Sequence, residues 1–192
     1  MKKRNKKYLS NLYDYNAKTD TYQISLSLRN YEEIYNPYDY SQYKKRDMDE
    51  DFLDYIYDET LGIPLKHNVK LTMHIKEEAY AEEKTKNVKN AIKNNFSWRM
   101  GIIEQRLKEL YSKCMLLLLA GILFLVLTFG LSNTVNKDNT FFDIFGESLS
   151  IIGWVFLWDL VEILAFDLTK LLKKKRYLKR LVNSKVEFET YK

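Results

Sequence analysis

Cys114–Leu131 reads CMLLLLAGILFLVLTFGL, and this run decides the architecture. It contains no charged residue, and Thr128 is its one polar side chain besides the cysteine. As a helix it rises about 27 Å, close to the ~30 Å hydrocarbon core of a bilayer. A helix that is apolar all round needs lipid or an enclosing protein core. The rest of the chain is a poor enclosure. The mean hydropathy of the whole chain is −0.41 although 46% of its residues are hydrophobic, so the apolar residues are concentrated in a few runs. The soluble part before Lys113, about 110 residues, supports only a modest core.

A second run, Leu149–Leu172, reads LSIIGWVFLWDLVEILAFDLTKLL. Only ten residues, Leu149–Trp158, precede its first charge, too few to cross. A crossing helix therefore contains Asp159 and Glu162. The alternative begins near Phe141, exits by Trp158 and buries Asp143 and Glu147 instead. The first version is preferred. The expected order is a juxtamembrane helix at 97–113 and a first span at 114–131. An extracytoplasmic loop at 132–149 leads to a second span at 150–169.

Charge sets the direction. Lys93, Arg99, Arg106, Lys108 and Lys113 precede the first span. Lys170, Lys173, Lys174, Lys175, Arg176, Lys179 and Arg180 follow the second. The segment between carries Lys137 against Asp138, Asp143 and Glu147. Lys and Arg stay on the cytoplasmic side, so both termini face the cytoplasm, and in a bacterium the membrane is the inner one. Lys173, Lys174, Lys175, Arg176, Lys179 and Arg180 also suit anionic lipid, at about 1 kcal/mol each near the surface. The net charge of +5 would fit nucleic acid as well. The cluster's place directly after an apolar run favours topology, and nucleic acid is not expected as a partner. Met1–Lys7 is basic but no apolar stretch follows, so a cleaved signal peptide is not expected.

Around the second span the chain resembles an uncharacterised family of small bacterial two-span membrane proteins. The shared features are Gly153-Trp154, Trp158-Asp159, Glu162, the basic run Lys173–Arg180 and the strand-like Val186–Glu189. The likeness covers the C-terminal half and, more loosely, the part before it. The group carries no assigned activity, so the resemblance implies an architecture and no site.

The remainder reads as a polar tail (1–20), a small cytosolic β-α-β-α domain (21–96) and a basic tail with a strand (170–192). Thr21–Leu28 alternates, with Tyr22, Ile24, Leu26 and Leu28 on one face. Asn68–Ile75 alternates likewise through Val69, Leu71, Met73 and Ile75. Asp47–Glu59 has helical spacing and acids at its start, ended by Gly62-Ile63-Pro64. Lys76–Asn95 reads as a charged helix, and Trp98–Lys113 as a second that feeds the first span as a continuous or lightly kinked helix, with Gly101 the candidate bend. Ser184–Tyr191 alternates and is expected to return to the sheet. The fold class is thus an α+β membrane protein: a β-α-β-α unit, a transmembrane hairpin and a C-terminal strand. Alternating strands leave one sheet face to solvent or a partner.

Chemistry is sparse. Asp159 and Glu162 share a helix face, with Trp154 and Trp158 adjoining it. An acid at bilayer depth costs about 2.5–3.5 kcal/mol on insertion scales. The two acids therefore read as an ion path or an assembly lock, with Thr128 or another subunit as polar partner. The plainer reading shifts the helix and leaves Glu162 near the interface beside Asp167 and Lys170. Asp47-Asp49-Asp51 has calcium-loop spacing, but Phe52 stands where glycine is needed and Asp58 where glutamate is, so helix-start acidity explains it better. His67 and His74 have no cysteine near them in sequence, and no metal or cofactor is expected. Cys114 reads as a small apolar residue, with palmitoylation the rival. Eleven of the fifteen tyrosines lie between Tyr8 and Tyr57, with Lys44, Lys45 and Arg46 nearby, and read as packing before ligand stacking. The expected function is a non-enzymatic inner-membrane protein whose cytosolic domain binds a ligand or protein partner, as a homo-oligomer. The rival is an oligomeric pore lined by Asp159 and Glu162.

Overall fold

The computed structural model of the chain describes residues 9–40, 46–134 and 140–192. It divides into two compact units, Met1–Gly101 with Lys175–Lys192, and Ile102–Lys174. The first unit is built on a four-stranded sheet in the order β1 (Asp14–Asn16), β2 (Thr21–Leu28), β3 (Asn68–Lys76), β4 (Lys185–Tyr191). β1 and β2 form an antiparallel hairpin. β2–β3 and β3–β4 are parallel. A parallel pair needs a crossover. Helix α1 (Glu50–Gly62) supplies it between β2 and β3. Everything from the end of β3 to Ser184 lies in the crossover between β3 and β4.

The two alternating strands are where the sequence puts them, and so is the returning strand. Tyr22, Ile24, Leu28, Val69, Leu71, Met73 and Ile75 are buried. Ile24 pairs with Leu71 and Leu26 with Met73, so the apolar positions stay in register on one face. Leu53 and Ile56 of α1 are buried, as are Val88, Ile92 and Phe96 from the first turns of helix α2 (Glu82–Thr134). Tyr177, Leu178 and Leu181 of helix α4 (Leu168–Val182) are buried as well. Each such side chain contributes about 1.5–3 kcal/mol by leaving water. The opposite face keeps Gln23, Ser25, Ser27, Lys70, His74, Lys185, Glu187 and Glu189 in view.

Three expectations need correction here. The polar tail is not wholly a tail: Leu9 is buried and Asp14–Asn16 pairs with β2, because a tight turn lets a three-residue strand use the open β2 edge. The unit is therefore β-β-α-β with α2 following, completed by β4. Residues 1–8 of that tail, and Lys44 and Lys45, lie outside the described residues. Helix α1 starts at Glu50, because Asp49 caps it by accepting from the Phe52 amide at 2.9 Å.

Arg180 ties this unit together. Its Nη1 donates to the carbonyls of Pro64 (2.8 Å) and His67 (3.2 Å), and its Nη2 to those of Thr60 (2.6 Å) and Ile63 (3.0 Å). Thr60 lies in the last turn of α1 and Ile63 is its C-cap, so the cation meets the negative end of that helix. Burial pulls the Arg180 pKa below the ordinary guanidinium value, yet the group stays charged. Arg180, expected as one of the topology and anionic-lipid residues of the basic run, is thus a structural clamp.

The second unit pairs α2 with helix α3 (Thr140–Glu162) in antiparallel fashion. They touch at two glycines. A Cβ on Gly121 would fall 2.9 Å from Leu157 Cδ2, and one on Gly153 would fall 3.1 Å from Leu125 Cγ and 3.2 Å from the Gly121 carbonyl. Small residues of this kind let helices approach without a hydrophobic driving force. Phe124 stacks on Phe156 at 5.7 Å, and Cys114, Leu117 and Ile163 form a buried cluster. After Glu162 the ladder loosens into a π segment, Ile163–Asp167, before α4. The expected loop at 132–149 is largely helical: Ser132–Thr134 close α2 and Thr140–Leu149 open α3. The apolar Phe141, Ile144 and Phe145 outweigh Gly146 and the acids there. Residues 135–139 of that loop lie outside the described residues. Among the described residues, two helices are long and apolar enough to cross a membrane, over Glu82–Leu131 and Asp143–Val182.

Replacing Arg180 with Met removes four hydrogen bonds, of which only those to the Thr60 and Pro64 carbonyls have a backbone amide donor in addition among the bonds described, and lowers unfolding stability by about 2–4 kcal/mol in urea titrations of tyrosine fluorescence. Arg180→Lys recovers only part of this, because an ammonium lacks the planar fork.

Candidate functional site

The first unit holds a cleft of about 730 Å³ at the end of the sheet where β2, β3 and β4 begin. Thr21, Asn68 and Lys185, the first residues of those strands, line it. Lys70 and Glu187 reach it from the polar sheet face. Arg176, Lys179, Arg180 and Asn183 close it from α4 and the turn that follows. Five cations therefore face one carboxylate, that of Glu187.

Glu187 is shared. Its Oε2 lies 2.5 Å from the Lys70 ammonium, and its Oε1 pairs with Lys185. Hydrogen bonds from Lys185 and Lys70 hold its pKa down at about 2. Arg176 and Lys179 stand differently. Both side chains are exposed, and among the described residues neither has a hydrogen-bond or ion-pair partner. Arg180 sits behind them, half-buried, its guanidinium given over to neutral carbonyls and so without a counter-charge.

A hydrogen-bonded chain braces one wall. Asp20 takes the left-handed backbone at φ 50°, which short polar side chains tolerate. Its Oδ1 accepts from the Tyr15 hydroxyl (2.8 Å) and lies 2.6 Å from His67 Nδ1. The carboxylate fixes the Nδ1-protonated tautomer of His67. The Tyr15 bond, then that of His67, lowers the Asp20 pKa, and Asp20 raises that of Tyr15. The chain locks the β1–β2 turn to the start of β3, where the Asn68 amide donates to the Asp20 carbonyl at 2.9 Å. His74 is elsewhere, 3.7 Å from Glu189, so the two histidines do not share a site.

The intramembrane candidates sit in the other unit. Asp159 and Glu162 are exposed on α3, and Trp154 and Trp158 are exposed beside them. Among the described residues neither acid has a partner. Thr128 does not serve them. Its hydroxyl donates to the Phe124 carbonyl (3.0 Å) and lies 3.4 Å from the Gly146 carbonyl. Of the basic run, Arg176 and Lys179 line the cleft, Arg180 is the clamp, and Lys173 and Lys174 are exposed. The tyrosines divide: Tyr22, Tyr31 and Tyr35 are core, while Tyr38 and Tyr40 are fully exposed.

No family model, curated protein or solved structure matches the chain. The site therefore stands on its own geometry. Lys70, Lys185, Glu187, His67 and Asn68 carry no motif. The one signal was a lysine on the polar face of β3 and another on that of β4, which gains meaning only once those two strands are neighbours.

The lowered Glu187 pKa makes a pH prediction. A group whose folded pKa lies below its unfolded value of about 4.5 stabilises the fold above that value. The contribution is lost as pH falls from about 4.5 towards about 2. Unfolding curves of the wild type steepen in pH dependence across this window, and Glu187→Gln flattens that part of the profile. Identical profiles would refute the Lys70–Glu187–Lys185 bridge.

Proposed function

We propose that the chain is a two-span protein of a cell membrane, with both termini cytoplasmic, whose sheet unit binds an anionic ligand or partner group in the basic cleft. The protein acts by binding, not by catalysis. The observation that carries this reading is the cleft itself, where, among the described residues, unpaired Arg176 and Lys179 stand over a half-buried Arg180 with only Glu187 as counter-charge. A concave site of this volume is of the size that holds small ligands.

Two observations support the membrane part. Only 17% and 11% of the most apolar windows of the two helices are buried, which argues against core helices of a soluble protein. β4 also lies beside β3 in one sheet, so the chain before α2 and after α3 must be on the same side of any bilayer. If α2 crosses, the chain must cross back. That requirement supports a crossing by α3 despite Asp159 and Glu162. The Gly-Trp and Trp-acid resemblance favours a bacterial inner membrane as the compartment.

A second reading rests on the outward acids. Two carboxylates on a lipid-facing helix surface are costly unless a second copy or a water path meets them. This favours a homo-oligomer, in which Asp159 and Glu162 line or lock the contact.

Three measurements test these readings. In a Cys114→Ser background, Asp143→Cys reacts with an impermeant maleimide in intact spheroplasts, whereas Lys192→Cys reacts only after permeabilisation. Labelling of both in intact spheroplasts overturns the topology. Native mass spectrometry of the chain purified in mild detergent retains a bound species that Arg176→Gln/Lys179→Gln loses. Retention by the double variant ends the cleft reading. Asp159→Asn with Glu162→Gln lowers the oligomer mass and any ion flux in liposomes; if neither changes, the acids are bystanders.

A further inference from the structure

We infer that the ligand of the cleft carries phosphoryl groups bearing at least two negative charges. This rests on the binding role proposed above and names the chemistry. Lys70 and Lys185 already share the carboxylate of Glu187, so a ligand with one carboxylate adds to a pair that is satisfied. What remains is the unpaired charge of Arg176 and Lys179 in front of Arg180. The Arg180 hydrogen bonds run from its two Nη atoms to neutral carbonyls, which leave its charge uncompensated, and among the described residues its buried Nε has no partner. Low-dielectric walls around a single sign of charge concentrate the potential in the cleft.

A polyvalent anion is the matching charge. Phosphate presents several oxygens in a tetrahedron, which a guanidinium fork and an ammonium can engage together. Glu187 then acts as an internal stand-in, keeping the Lys70 and Lys185 ammonium groups gathered until a stronger anion competes for them. Nucleic acid fits less well. Single strands are held by stacking bases on aromatic rings, and no Tyr, Phe or Trp is among the described residues lining the cleft. Such a phosphoryl group belongs either to a soluble compound or to a lipid headgroup, and the chemistry of recognition is the same.

The test uses inorganic pyrophosphate as the probe and the full chain in phosphatidylcholine nanodiscs at low salt, read by titration calorimetry. Saturable binding is expected. Arg176→Gln/Lys179→Gln weakens it by about tenfold or more, Lys108→Gln leaves it unchanged, and Glu187→Gln tightens it. Both cleft residues changed in the double variant are exposed, so its unfolding curve matches the wild type and the loss reports on binding. A second series in nanodiscs containing phosphatidylglycerol separates the sources. A weaker apparent pyrophosphate affinity there assigns the site to a lipid headgroup, and an unchanged one assigns it to a soluble phosphate. No saturable binding, or equal binding by the double variant, overturns the inference. If the double variant still loses its co-purified species in native mass spectrometry while pyrophosphate fails to bind the wild type, the binding role stands and only the phosphoryl chemistry falls.

Discussion

The parallel pairing of β4 with β3 is the constraint on which everything else hangs. Its ladder runs from Lys70 opposite Lys185 to Lys76 opposite Tyr191. Between those strands lies a crossover that contains both long apolar helices. An ordinary crossover is one helix that packs on the sheet it serves. Here the two ends of the crossover belong to the sheet unit, the start of α2 with buried Val88, Ile92 and Phe96, and the end of α4 with buried Tyr177, Leu178 and Leu181. The middle has its own cluster around Cys114, Leu117 and Ile163. One sheet and one pair of glycine-packed helices thus interrupt each other in sequence while each keeps its own packing.

The same pairing creates the cleft. Lys70 and Lys185 are opposite each other only because β3 and β4 are neighbours. Two like charges directly across a ladder repel, and Glu187 answers that by bridging them. α4 then adds Arg176 and Lys179 one turn apart, and Arg180 on the buried side. The helix divides its basic residues by phase: Arg180 turns inward to the end of α1, and Arg176 and Lys179 stay outward. A single run of sequence therefore supplies a structural clamp and, as proposed, the ligand contacts.

Much of this was legible. An uncharged run from Cys114 to Leu131 and the alternation in β2, β3 and β4 come from local chemistry, which sequence periodicity reports directly. The β1 strand was not legible, because Asp14–Asn16 is short and polar and owes its place to the open edge of β2. The start of α3 was missed because Gly146 and the acids beside it look like a loop until α2 gives Phe141–Leu149 a partner. The cleft escaped because its residues are far apart in the chain and each has an ordinary local explanation. Lys70 and Lys185 read as solvated strand faces, and Arg176 and Lys179 as topology signals. Asp159 and Glu162 are both exposed on α3, and the polar partner expected for them in Thr128 is engaged with carbonyls instead.

The crossover also sets an order of events. β3 can pair with β2 as soon as α1 is in place, yet its other edge has no neighbour until both apolar helices have been made. During synthesis that bare edge is the most adhesive feature of the nascent chain. On the proposed two-span topology, sheet completion and helix insertion thereby become a single coupled process. A chain whose second apolar helix then stalled on the wrong side would keep β4 away from β3, leave Arg180 far from α1, and expose an unfinished sheet to quality-control proteases.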